Sequence, residues 1–335
     1  MIAYLVKRVL LVPPILLLIA LLCFALVAIF PGDFYTGHMV AAAMRGDDPF
    51  VFHAEILALR GLDKPWIVQF AYWAQAAIVH GDLGFSFMSG VSVTRYIFAG
   101  DGTIGWSLLI LGSSILFAFA LGIPVGVLSA IRYRRPVDHL ITAGTFTLAS
   151  IPPQLLALVF LFGYSRLVNP HVRSGLMWGP CHYSLVNSPL TWAKAVSHIG
   201  HLLPVWIIVS APIFALIVRT LRLQLLDTFS ELYLQTARGK GIPERRVLFR
   251  HALPNVIGTL ISQWAQILNL AIVGLFLVGV ILNIPSIGSL LMEAILRQDQ
   301  PLVNGTLLFF GFLIIMSNLV GDILLVAIDP RIRYS

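Results

Sequence analysis

The stretch ARGKGIPERRVLFRHALPN, Ala237–Asn255, is the most polar and basic segment of any length in the chain. Arg238 and Lys240 precede its bend, Arg245, Arg246 and Arg250 follow it, and Gly241 and Pro243 form the bend itself. A long apolar run lies on either side. What this basic bend does among apolar neighbours decides how the chain is read. The upstream residues LRLQLLDTFSELYLQTARGK are compatible with one continuous helix. Gly241 then supplies the residue type that ends helices in the left-handed conformation. Pro243 suits the first turn of a second helix, and Glu244 suits its positive end. Leu248, Phe249 and Ala252 are expected on one stripe, with Arg246 and Arg250 on another. Pro254 is expected to close that helix. The segment is therefore predicted as a helical hairpin with an apolar face and a basic face. A loop that only fixes membrane orientation needs no such order, whereas a surface helix that docks a partner does.

Composition sets the surroundings. Of 335 residues, 58% are hydrophobic and only 11% charged. Soluble domains carry about 25% charged residues, so this is read as an integral membrane protein. Six runs are long enough for a helix to cross a bilayer, which takes roughly 20 residues. They lie near Val9–Phe30, Ile104–Ile131, Leu140–Leu167, Leu203–Arg222, Val256–Leu282 and Val303–Ile328. The fourth is the weakest, with Pro204 and Pro212 inside it. The first follows Lys7 and Arg8, but its length and the absence of a small-residue cleavage site argue against a signal peptide. Pro31 and Gly32 end it.

The formal net charge is +7. A cytoplasmic N-terminus places on that side Lys7, Arg8, Arg132, Arg134, Arg135, Arg219, Arg222, Arg238, Lys240, Arg245, Arg246, Arg250, Arg331 and Arg333. The acids there are Asp138, Asp227, Glu231, Glu244 and Asp329. The outer side is then nearly neutral, and the excess charge is a positive-inside signature with both termini cytoplasmic. This explains the basic balance without nucleic acid.

The chain divides into a first membrane helix over residues 1–31, an extracytoplasmic helical cap over 32–103, and a five-helix core over 104–335. In the cap, Trp66, Phe70, Trp73 and Ala77 recur at helical spacing. Asp63 is the expected N-cap with Pro65 early in the helix, and Gly81, Asp82 and Gly84 mark the following turn. The second outer loop carries His171, His182, His198 and His201. The last two could face one side of a helix, but loop histidines near a membrane are usually solvated, and no metal site is assigned. Cys23 and Cys181 are too differently placed for a disulfide framework.

Polar residues inside membrane helices mark a solute path or bonds between helices. Gln263, Gln266 and Asn269 recur every three residues in the fifth run. Ser150 and Gln154 flank a Pro152-Pro153 kink in the third. Asn318 and Asp322 share a face of the sixth, where a structural polar pair is favoured. For the Gln263–Asn269 face the two readings stand level.

The segment QTARGKGIPERRVLFRHALPN resembles the EAA loop of ABC importer permeases. That pattern is Glu-Ala-Ala, three residues, Gly, nine residues, then Ile-x-Leu-Pro. Gln235, Thr236 and Ala237 fall on its start, Gly241 on the glycine, and His251, Leu253 and Pro254 on its end. The departures are Gln235, Thr236 and His251. This variant is similar to the dipeptide, oligopeptide and nickel permease family. Further segments in order carry the resemblance across the whole chain. They include YLVKRVLLVPPILLL, LRGLDKPWIVQF, GDLGFSF, LGIPVGVLSAIRY, SIPPQLLALVFLF, PSIGSLLMEAILRQDQPLVNG and NLVGDILLVAIDPRIRYS. DGTIGWSLLI from Asp101 departs from the family's usual Leu-Pro-Ala-Thr.

The resemblance implies an all-α membrane fold of the type I importer permease class, with six membrane helices. It implies coupling to an ATPase subunit through Gln235, Thr236, Ala237, Arg238, Gly241, Glu244, Arg245, Arg246, Leu253 and Pro254. Implied partners are a second related permease, two ATP-binding subunits and an external solute-binding protein. The implied location is the bacterial inner membrane. The chain has no phosphate-binding loop: Leu234 stands where Gly is required before Gly239-Lys240, and Gly241 where Ser or Thr is required. No catalytic constellation can be assembled either. It is therefore read as a transport subunit without a cofactor of its own, ATP and Mg²⁺ being held by partners. The candidate path residues are Gln154, Gln263, Gln266 and Asn269. Peptides or peptide-like solutes are the expected substrates, with nickel as an alternative. A scaffold that holds a soluble partner without transport is the reading from another class. A self-contained secondary transporter would show an internal repeat, and none is seen.

Overall fold

Apolar runs this long must satisfy their backbone groups internally, and helices do so. The computed structural model describes residues 2–29, 34–35, 39, 43–46, 48–99, 103–168 and 191–328. His171, Cys181, His182, Arg331 and Arg333 lie outside the described residues. Regular structure among those described is helical apart from one isolated bridge between Phe85 and Ser92. Five helices are long and apolar enough to span a membrane, and six when one bent pair counts as a single span. The chain forms two compact units, Met1–Gly105 with Ser286–Ile315, and Trp106–Pro285 with Met316–Ser335.

In the first unit, α1 (Ile2–Ile29) packs on the helix over Trp66–His80. Asp48 caps α2 (Pro49–Arg60), accepting from Phe50 N at 2.9 Å, and Pro49 takes the first position, where no N–H is needed. The next helix, α3 (Trp66–His80), turns its Trp66, Phe70, Trp73 and Ala77 stripe inward. Phe24 of α1 meets Phe70 and Trp73 with ring centres 5.7 and 5.6 Å away. Asp63 is not the N-cap. Pro65 holds that place, and Gln69 reaches back to the Leu62 and Lys64 carbonyls at 3.1 and 2.8 Å. Asp63 stands two residues too early for its carboxylate to serve the first turn. The turn at Gly81, Asp82 and Gly84 forms as expected, with Asp82 accepting from Gly84 N at 2.9 Å. After it come α4 (Val93–Ala99), the unit's share of α5 (Thr103–Ile131), α13 (Ile287–Leu296) and the first part of α14 (Gln300–Ile328).

The second unit is built around α8 (Trp192–Phe229), whose 38 residues run through Pro204 and Pro212. The run that reads weakest in the sequence is thus the unit's longest helix. A proline removes one backbone bond, and neighbouring helices can compensate. Val209, Ile213, Ile217, Leu221 and Leu225 of α8 are wholly buried. Gly122 and Gly126 of α5 let α8 approach closely: a Cβ at either would sit 2.9 Å from Ile217 or Leu221. The third apolar run is two helices, α6 (Pro136–Ser150) and α7 (Pro153–Val168), bent by 95°. Pro152 and Pro153 both lack donors and disfavour helix in the residues before them. The fifth run also breaks, at Gln263, between α11 (Leu253–Ser262) and α12 (Trp264–Ile281).

Candidate functional site

The basic segment hangs from the end of α8. The helix does not continue unbroken into it. It stops at Phe229, and Ser230 Oγ caps back to the Asp227 carbonyl at 2.7 Å. Serine competes with helical bonds in this way. A short helix, α9 (Leu232–Gly239), follows with Leu234 and Ala237 turned into the unit. Gly241 then adopts φ +74°, its N–H donating to the Arg238 carbonyl at 2.9 Å while Ile242 N–H donates to that of Ala237. The second limb begins as one turn, α10 (Glu244–Arg246), and widens into a π-helical turn over Val247–Ala252.

That π turn corrects two expectations. Pro254 does not close the hairpin. It sits in the first turn of α11, and the chain runs through it. In an α-helix its ring would press on the carbonyl four residues back. Here Leu253 N–H donates five residues back, to Leu248, and the wider turn makes room. The extra residue also changes the phase. Val247, Leu248 and Ala252 are buried, while Phe249 is 54% exposed beside the arginines. An α-helical spacing predicts Phe249 inside.

The hairpin's polar groups divide by role. Gln235 and Thr236 are exposed, but they bond their own backbone, to Ser230 O at 3.0 Å and Leu232 O at 2.9 Å. Arg238 pairs with Glu244 across the bend at 2.7 Å, and also reaches the Phe229 carbonyl. Asn255 donates to Tyr233 Oη at 2.8 Å, tying α11 to α9. Ala237 and Leu253 are root packing. Pro243, Arg245, Arg246, Phe249, Arg250 and Pro254 line one open groove. Three guanidinium groups round an exposed phenyl ring suit an acidic partner with an apolar point of contact. Phe249, Tyr233 and Asn255 did not stand out in the sequence as site residues, whereas Arg250 was expected on the basic face. Only the π turn's phase would have indicated the first.

The candidate path residues separate. Gln263 is half-buried, and its Oε1 accepts from Thr220 at 3.1 Å, a bond between helices. Gln266 and Asn269 are exposed on the apolar helix α12, and Gln154 is half-exposed just past the bend into α7. Asn318 and Asp322 are half-buried one turn apart on α14. His198 lies against the Trp106 ring at 5.0 Å, and His201 Nδ1 is 2.8 Å from Ser197 O. Among the described residues, no three His, Cys, Asp or Glu side chains group so as to hold a metal.

A second polar centre lies on the same unit. Asp138 is 1% exposed and receives both Nε and an Nη of Arg222, at 2.7 and 2.9 Å. Ser129 Oγ donates to it at 2.6 Å and Arg134 N–H at 2.9 Å. In the sequence Asp138 and Arg222 carry no sign of pairing, since 84 positions separate them.

The model of the family described as "Binding-protein-dependent transport system inner membrane component" matches residues 122–334, which include both polar centres. The chain belongs to this family. It is 31% identical to the dipeptide transport system permease protein DppB of Escherichia coli K12, over 100% of this chain and 99% of that one. It is also 31% identical to the oligopeptide transport system permease protein AppB of Bacillus subtilis 168, over the full length of both. A solved structure of the MetNI methionine ABC transporter, inward facing, is similar at 16% identity. That likeness has a TM-score of 0.48 and covers 68% of this chain and 94% of the other. The chain is thus an inner-membrane subunit of a transport system that depends on a binding protein.

Proposed function

We propose that the chain is one half of the solute path of an ATP-driven peptide importer. On this reading it takes up peptides or peptide-like solutes delivered by an external solute-binding protein. It pairs with a second related permease and with two ATP-binding subunits, which hold ATP and Mg²⁺ and carry out hydrolysis. Both termini lie in the cytoplasm, as the basic residues favour. The observation that carries the reading is the hairpin: a buried apolar root beneath an exposed groove of Arg245, Arg246, Phe249 and Arg250. A rigid surface helix of this kind can pass a rigid-body motion between subunits. Ala237, Gly241, Leu253 and Pro254 set its shape, Arg238 and Glu244 brace the bend, and the groove meets the ATPase. Gln235 and Thr236 flank that contact.

Gln266 and Asn269 are the favoured path residues, since exposed amides on an apolar helix are costly against lipid. Gln154 joins them beside the bend. Gln263 contributes through its bond to Thr220. Peptide chemistry is favoured over nickel because the similar proteins are peptide permeases by name. The test is uptake of labelled peptides by the reconstituted complex. Peptide-dependent uptake that requires ATP supports the proposal. A complex that binds the ATPase and moves no solute would make the chain a scaffold.

A further inference from the structure

The turn between α5 and α6 has features that a coupling role does not use. Arg132, Tyr133, Arg134 and Arg135 are all exposed. Arg134 adopts φ +61°, a left-handed conformation that a side chain disfavours. Asp138 holds it there by accepting the Arg134 N–H, while Arg222 neutralises the same carboxylate. Asp138 is the only acid from Ser129 to Thr142. Its charge is therefore cancelled in the interior, and no other acid in that stretch compensates the three arginines outside. None of the three is in an ion pair among the described residues. The Arg134 guanidinium instead leans over the Tyr133 ring at 5.1 Å.

The level of the turn is fixed as well. Asp138 is clamped to Arg222, seven residues before α8 ends at Phe229. At 1.5 Å per residue the turn lies roughly 10 Å short of the base of the hairpin. Directly beside it, Leu128, Ile131, Val137 and Leu140 are exposed apolar side chains, Leu140 by 73%. Cations above an apolar band, with a tyrosine at the border, form the pattern of a bilayer interface.

We propose that the Arg132–Arg135 turn binds the phosphate headgroups of anionic phospholipids. A pure orientation signal would need charge only. It would need neither a left-handed arginine nor an acid withdrawn into the core to keep the outer charges free. Each cation close to an anionic surface strengthens attraction about fivefold, so three give on the order of a hundredfold.

The full transporter complex would be reconstituted in phosphatidylcholine vesicles that carry a trace of photoactivatable phosphatidylglycerol, or of photoactivatable phosphatidylcholine. Labelled peptides would be mapped by mass spectrometry. Phosphatidylglycerol should label the Tyr133 peptide far more than phosphatidylcholine does, and added salt should reduce the excess. Arg132→Gln, Arg134→Gly and Arg135→Gln together should abolish the excess, glycine preserving the left-handed turn. Lysine at all three positions should largely retain it. Equal labelling by the two lipids, or an excess indifferent to salt, overturns the proposal even if the triple variant fails to insert. So does a triple variant that keeps the excess, or one that releases the ATPase subunits with labelling unchanged, which would make the turn a protein contact.

Discussion

Two turns in the same unit solve one geometric problem in opposite ways. Both put a residue in the left-handed region, Arg134 at φ +61° and Gly241 at +74°. At Gly241 the residue type removes the strain, and no neighbour is needed: a Cβ built there meets nothing within 4 Å. Its braces are local backbone bonds and an exposed ion pair. At Arg134 the residue type opposes the conformation, and a buried carboxylate overrules it from four positions away. A turn that must aim a rigid hairpin uses glycine. A turn that must show a cation at a fixed depth keeps the cation and draws its support from the core. The contrast gives each turn a different point of failure.

The largest effect is expected where the second turn draws its support. Asp138→Ala removes a bidentate pair and strands Arg222, the Ser129 hydroxyl and the Arg134 N–H. Breaking a buried pair costs about 3–5 kcal/mol. The lower end applies, because Arg222 keeps 20% of its side-chain surface. The thermal midpoint of the purified subunit should fall clearly. Arg222→Lys should fall less, since lysine keeps a cation beside Asp138, though it cannot offer the paired fork. An unchanged midpoint in Asp138→Ala would mean that the turn holds itself.

Next is Gly241→Val. With open space around the site, the cost is backbone strain of roughly 1–3 kcal/mol, confined to the hairpin. The variant should insert and assemble into the complex, yet lose substrate-stimulated ATPase activity after reconstitution. Wild-type stimulation would separate the hairpin from coupling.

These two variants also mark what the sequence could reveal. Gly241 was legible as a left-handed helix end because glycine announces its own freedom. The six apolar runs and the inward stripe of α3 were legible for a similar reason, since hydropathy and period are local. Arg134 was not, because nothing in an arginine signals a positive φ and its cause, Asp138, acts through folding. Nor was the Asp138–Arg222 pair, joined only when α6 packs on α8. Phe249 was not, because the π turn that Pro254 favours breaks the α-helical period on which its expected burial rests. Gln263 fits the three-residue pattern with Gln266 and Asn269, yet the break between α11 and α12 turns it to Thr220. Pro204 and Pro212 weakened the fourth run on paper, and the packing around α8 outweighed them.

A smaller effect tests whether the hairpin's aim has support beyond its glycine. Tyr233→Phe removes the acceptor for Asn255, leaving Asn255 its bond to the His251 carbonyl. A net hydrogen bond is worth about 0.5–1.5 kcal/mol, and this one is exposed. Stimulated ATPase activity should drop partly, with insertion and assembly unaffected. A loss as large as that of Gly241→Val would move the main brace of the hairpin from the bend to its root.

The smallest change is expected from Arg134→Gly, and it bears most directly on the contrast. Placing an L-residue in the left-handed region costs roughly 1–2 kcal/mol, so glycine relieves strain in the folded state. Glycine also loosens the unfolded chain, which takes back about 0.4–1 kcal/mol. The Asp138 bond is made by the backbone N–H, so it survives the substitution. The balance is a thermal midpoint equal to wild type or slightly higher, although a charged side chain has been lost. In the Asp138→Ala background, where the brace is gone, the same change should stabilise more, because the left-handed turn then depends on residue type alone. A double-mutant cycle on the midpoints reads this coupling. Additive effects would show that Asp138 does not hold Arg134 in place, and the two turns would then differ in sequence but not in mechanism.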